Sequence, residues 1–97
     1  MLSNPQVRHL RSLAHHLDAM LQTGDKGLTE AVQKEISIAL SAHELIKVKL
    51  NAERDERAAM TDEIVAWQQC ELVQSIGKTI VLYKHNSKAP KITLPKA

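Results

Sequence analysis

The chain has 97 residues, of which 43% are apolar and 25% charged, and a formal net charge of +2. That length suits one domain with one modest core, and no apolar run approaches the roughly 20 residues of a membrane-crossing helix. No basic stretch followed by an apolar leader opens the sequence, and Cys70 is the only cysteine, which leaves no internal disulfide and sets the expectation of a reducing cytoplasm.

The charge is unevenly placed. Residues 72–97 carry five lysines and no acid, while residues 1–71 carry eight basic and eleven acidic side chains. A basic final quarter on a slightly acidic body fits a polyanionic partner, and it equally fits a solubilising tail.

In chain order, Asn4 can cap a first helix with Pro5 at its first position. Val7, Leu10, Leu13, Ala14 and Leu17 follow at helical spacing. Ala19–Gln22 (AMLQ) is short and apolar enough for a buried strand. Thr29 caps a second helix whose core stripe is Val32, Ile36, Ala39, Leu40 and His43. In LIKVKL (45–50), Ile46, Val48 and Leu50 face one way, and Leu45, Lys47 and Lys49 the other, as in a strand with one partly wet face. Asp55 is a candidate cap for a third helix carried by Met60, Ile64 and Trp67. Two strands, 72–76 and 79–84, flank Gly77-Lys78, a plausible two-residue hairpin turn. Residues 85–97 form a Lys-rich tail, with KITL extended against the body.

The order α-β-α-β-α-β-β predicts a single α/β domain over 1–97 with a basic tail at about 85–97. Strands alternating with helices call for parallel βαβ units and the last hairpin for antiparallel pairing, so the four-stranded sheet is mixed. If the second and third helices share one face, part of the other is open to a partner, and Lys47 and Lys49 project there.

The stretch QTGDKGLT (22–29) bears most directly on function. A strand–GxxG–helix unit leaves backbone N–H groups in the loop and first helical turn that, with the helix dipole, attract anions. Gly24 and Gly27 allow close backbone approach. Lys26 adds a cation, and a phosphodiester is a natural guest. Asp25 and Glu30 oppose this, and GxxG also makes ordinary tight turns. The GxxxxGK[ST] spacing of a P-loop is absent. On the first helix Arg8, Arg11 and His15 form a stripe away from the leucine face. Trp67 and Tyr83 are the only aromatics, too few for a base-stacking sheet, so a nucleic-acid binder of this composition grips backbone and shape. Catalysis and metal binding find little support: there is no HExxH or CxxC, and the neighbours His43 and Glu44 at a helix–strand junction should point apart. No cofactor is expected and the protein is read as a non-enzyme.

Taken in order, LRSLAHHL (10–17), GDKGLTEAV (24–32), HELIKVKL (43–50), QSIGKTIVLYK (74–84) and KITLP (91–95) resemble the CRM domain, most closely its bacterial single-domain, YhbY-like branch. The resemblance implies an RNA-binding domain similar in fold to the C-terminal domain of bacterial translation initiation factor three. It also implies association with ribosomal RNA in precursors of the large subunit. The family's RNA-contacting GxxG loop falls on Gly24, Asp25, Lys26 and Gly27. The surrounding basic surface is expected from Arg8, Arg11, Lys47, Lys49, Lys78 and Lys84. The sequence departs from the family at 18–22, where relatives have Pro and a more aliphatic run, and at Ala31, where they often have Gly. It departs again at Lys84-His85, where many have Arg-Pro; Lys84 keeps the charge without the fork of Arg. A monomer is the default. Two other readings are a protein-interaction adaptor and a regulator of small or messenger RNA.

Overall fold

The computed structural model describes residues 2–24 and 26–95. The chain runs through α1 (Asn4–Ala14), β1 (Leu21–Gln22), α2 (Glu30–His43), β2 (Leu45–Lys49), α3 (Arg54–Gln68), β3 (Glu71–Ile76) and β4 (Thr79–Tyr83). The strands form one mixed sheet in the order β1-β2-β4-β3. β1 and β2 are parallel, joined by the α2 crossover. β4 inserts antiparallel between β2 and β3, so the β2-α3-β3 crossover spans a strand that is added later in the chain.

Strand periodicity decides which helix packs where. Ile46 and Val48 of β2 and Ile80 and Leu82 of β4 meet Ile36 and Leu40 of α2 and Ile64 of α3. Leu45, Val73, Val81 and Tyr83 meet Leu10 and Ala14 of α1 on the other face. β4 is therefore covered on both sides, which is why TIVLY reads as an unbroken apolar run. A register shift between Leu72 and Gln74 breaks the β3 ladder. Gly77, at φ +56°, turns the two-residue hairpin.

Thr29 caps α2 by accepting from the Val32 N–H, as expected. The cap of α1 is Ser3, one residue before Asn4. Its side chain accepts from Gln6 N–H while the Gln6 side chain accepts from Ser3 N–H, a reciprocal box that Asn4 cannot form. α3 begins after Glu53 without a side-chain cap, and Asp55 lies in its first turn. The expected buried strand at 19–22 is a two-residue edge strand, half-buried at Leu21 and exposed at Gln22. His43 is exposed at the end of α2.

The core stripe of α3 is Thr61, Ile64 and Gln68, shifted by one position from the expected Trp67. Gln68 explains the shift. Its buried amide donates to the Gln33 carbonyl at 2.7 Å and to Gln33 Oε1 at 2.9 Å, tying α3 to α2 through polar atoms. Trp67 is 55% exposed. Trp67→Ala is therefore expected to cost no more than about 1 kcal/mol in urea denaturation, against about 3 kcal/mol for Ile64→Ala. Equal losses would place Trp67 in the core.

Candidate nucleic-acid interface

β1 ends in Thr23, whose N–H donates to the Lys49 carbonyl. The chain then turns at Gly24, and the Gly27 N–H donates back to the Gly24 carbonyl at 3.0 Å. This is a tight turn with Lys26 exposed on it and Gly27 at φ +71°, a conformation that favours glycine. Asp25 lies outside the described residues. Two of the amides that the sequence offers to an anion are used internally: Gly27's by Gly24, and Val32's by Thr29. Apart from the chain neighbours of each glycine, no described atom lies within 4 Å of where a β-carbon would sit on Gly24 or Gly27.

The loop stands at one end of the sheet, and two lysines join it there. Gln22 pairs with Lys49, and Lys49 with Thr79, the residue after Lys78. Two strand spacings, about 10 Å, thus separate β1 from β4 at this end. Lys78 is fixed by its carbonyl, which accepts from the Leu50 N–H. Lys26, Lys49 and Lys78 are all exposed.

Around the corner, on the α1 face, Arg8, Arg11 and His15 face Lys47 and Thr79 across a cleft of about 660 Å³. Two of these cations are held in place. Arg11 Nε donates to the Val73 carbonyl at 3.3 Å, and Lys47 Nζ donates to the Leu17 carbonyl at 2.9 Å, pinning the α1–β1 connection. Asp18 is the acid on the cleft wall. Because Thr79 lines this cleft and is also the partner of Lys49, the cleft opens onto the lysines of the sheet end. The structure thus brings Arg8, Arg11, Lys47, Lys49, Lys78 and the loop to adjoining surfaces. Lys84 is apart. It follows Tyr83 at the far end of β4, about 20 Å from Lys78 along the strand.

At that far end, Glu44 was visible in the sequence only as a neighbour of His43. Its carboxylate is fully buried. It accepts the N–H groups of Asn86 at 2.6 Å, Lys91 at 2.5 Å and Ile92 at 2.8 Å, and lies 3.2 Å from His85 Nδ1. Burial by itself would raise this carboxyl, but the three backbone donors and the adjacent imidazole outweigh it and hold it below its ordinary value. The tail is thereby laced onto the body, with Ile92 and Leu94 packed beside the α1 cluster. The sequence did carry a signal here. An acid at a helix C-terminus opposes the dipole, so its presence there calls for donors from elsewhere.

Cys70 is buried, and loss of solvation pushes its thiol up to about 11, so little thiolate is present near neutral pH. Among the described residues, no three His, Cys, Asp or Glu side chains are grouped so as to hold a metal ion.

A βαβ unit with a GxxG turn, extended by an antiparallel hairpin and flanked by a cationic cleft, defines a small α/β domain with a cationic surface at one end of its sheet. The chain belongs to the CRS1/YhbY (CRM) domain family, whose model matches residues 2–84. It is 47% identical over 91 residues to "Probable RNA-binding protein PA4753" of Pseudomonas aeruginosa, covering 93% of this chain and 88% of that protein. It is 43% identical over 97 residues to "Probable RNA-binding protein YqeI" of Bacillus subtilis, covering 98% and 100%. The solution structure of the hypothetical protein SAV1595 from Staphylococcus aureus superposes with a TM-score of 0.81 at 38% identity, covering 98% of this chain and all of that one.

Proposed function

We propose that this protein binds RNA without catalysing a reaction on it, and that its RNA is ribosomal RNA of large-subunit precursors in the cytoplasm. The observation that carries the RNA reading is the continuity of the α1 cleft with the GxxG end of the sheet. Six cations adjoin there, around a turn whose two glycines are open, in a chain whose relatives are named RNA-binding proteins. Phosphates would lie over Lys26, Lys49 and Lys78 and continue past Lys47 towards Arg8 and Arg11. Lys84 lies outside this track. The ribosomal part of the reading rests on the resemblance to the bacterial single-domain branch.

Sedimentation of lysate with and without RNase tests it. Co-migration with a large-subunit precursor, abolished by RNase, is the expected result. A complex that survives RNase would favour an adaptor that docks an acidic protein. Migration at the top of the gradient under all salt conditions would remove stable ribosome association.

A further inference from the structure

The cationic cleft has a floor as well as a rim, and the two differ in character. Strand pairing lays the floor out in rows across the sheet. One row is Lys47, Val81 and Gln74; the next, nearer the GxxG loop, is Lys49, Thr79 and Ile76. All six side chains share the α1 face, because Leu45, Val81 and Tyr83 pack there and residues two apart on a strand point the same way. Leu10 and Ala14 of α1 cover Leu45, Val73 and Tyr83, and leave Gln74, Ile76, Thr79 and Val81 lining the cleft. Each row therefore runs from a lysine on β2 to an uncharged residue on β3, two strand spacings or about 10 Å away. Ile76 is 62% exposed there.

The rim is charged and fixed. Arg8, Arg11 and Lys47 form no ion pair with a described residue. Arg11 and Lys47 are each held by one backbone carbonyl, so the cations keep their distance from the apolar floor. A chain of phosphates satisfies the rim alone. An anion joined to a flat, weakly polar body satisfies both, and a nucleotide with a free base is such a group. In a duplex each base is closed off by its stacked neighbours and its pairing partner, so only sugar and phosphate face the protein, and the floor gains nothing.

We infer that the cleft seats one unpaired nucleotide of the bound strand, with its phosphate on the cationic rim and its base against Ile76, Thr79 and Val81, so that the protein prefers single-stranded RNA to duplex. The inference rests on the RNA-binding reading and adds to it the strandedness of the RNA. The half-buried Gln74 at the edge of the seat carries both a donor and an acceptor, which suits every base, so no base is singled out.

Charge alone makes the opposite forecast. A duplex releases more counterions per phosphate contact than a single strand, so a purely cationic surface favours the duplex. A short unstructured RNA and the same strand annealed to its complement separate the two cases, read by fluorescence anisotropy with the full chain over a range of salt. The single strand is expected to bind about tenfold more tightly. Ile76 is exposed at the end of β3, so Ile76→Ala should fold as wild type, checked by circular dichroism. That variant should weaken single-strand binding about fivefold and leave its salt slope unchanged, because no phosphate contact is lost. Its duplex binding should match wild type. Equal or tighter binding of the duplex by wild type, with the dependence on Lys26, Lys49 and Lys78 retained, would overturn the base seat and leave RNA binding standing. A single-strand preference that Ile76→Ala leaves untouched would put the base elsewhere and overturn it as well. Failure of wild type to bind either RNA would bring down both readings.

Discussion

Glu44→Ala is expected to free residues 85–95 from the body of the protein and to lower its unfolding free energy by about 3 kcal/mol. The carboxylate is the shared acceptor for the N–H groups of Asn86, Lys91 and Ile92, and its removal deletes the three charge-assisted hydrogen bonds that tie the tail to the end of α2. Amide exchange at Asn86, Lys91 and Ile92 would report the loss directly, and exchange in β4 would report whether the body survives. The same clamp has a defined pH dependence. Its folded carboxyl lies below the ordinary 4.5. The unfolded chain therefore takes up the proton first as the solution is acidified. The contribution of Glu44 is complete above pH 4.5 and is lost as pH falls through the folded value. Glu44→Gln, which mimics the protonated form, should thus be less stable than wild type at neutral pH, with the gap closing in acid. A gap independent of pH would mean that the negative charge plays no part in holding the tail.

The Glu44 clamp also marks where the sequence stops being informative. Elements whose pattern was set by burial on a sheet were legible: LIKVKL splits into two faces as written, and TIVLY is apolar throughout because helices cover both its sides. The GxxG turn was legible because glycine spacing reports backbone geometry directly, and Gly27 has the positive φ. The misses share a cause. Ser3, Gln68 and Glu44 act through hydrogen bonds to specific partners, and those partners are chosen by tertiary contact for the last two. Hydrophobic periodicity ranks Trp67 above Gln68 as a core residue, whereas the Gln33–Gln68 amide contact turns α3 so that Gln68 is inside. The grouping of the basic residues was legible only in part. Strand alternation put Lys47 and Lys49 on one face, but the separation of Lys84 from Lys78 follows from the length of β4 and from which end of the sheet holds the loop.

The separation of the lysines yields the second large effect. Lys26→Ala/Lys49→Ala/Lys78→Ala should reduce RNA affinity at low salt and make it less sensitive to salt, because each lost phosphate contact removes one counterion-release term. Each contact on a single strand contributes about 0.7 to the slope of log K against log salt, so the triple variant should lose about 2. All three side chains are exposed, so the fold should be unaffected. Arg11→Ala and Lys47→Ala are poorer probes, since they also break bonds to the carbonyls of Val73 and Leu17. Lys84→Ala is the decisive comparison. It removes the same charge from the same sheet, and overall electrostatics would make it equivalent to Lys78→Ala. A track confined to the loop end makes it silent. Equal slopes for Lys84→Ala and wild type, with a reduced slope for Lys78→Ala, would locate the phosphate path. Equal losses from both would show that the protein attracts RNA through its net charge, and that the GxxG end holds no privileged contact.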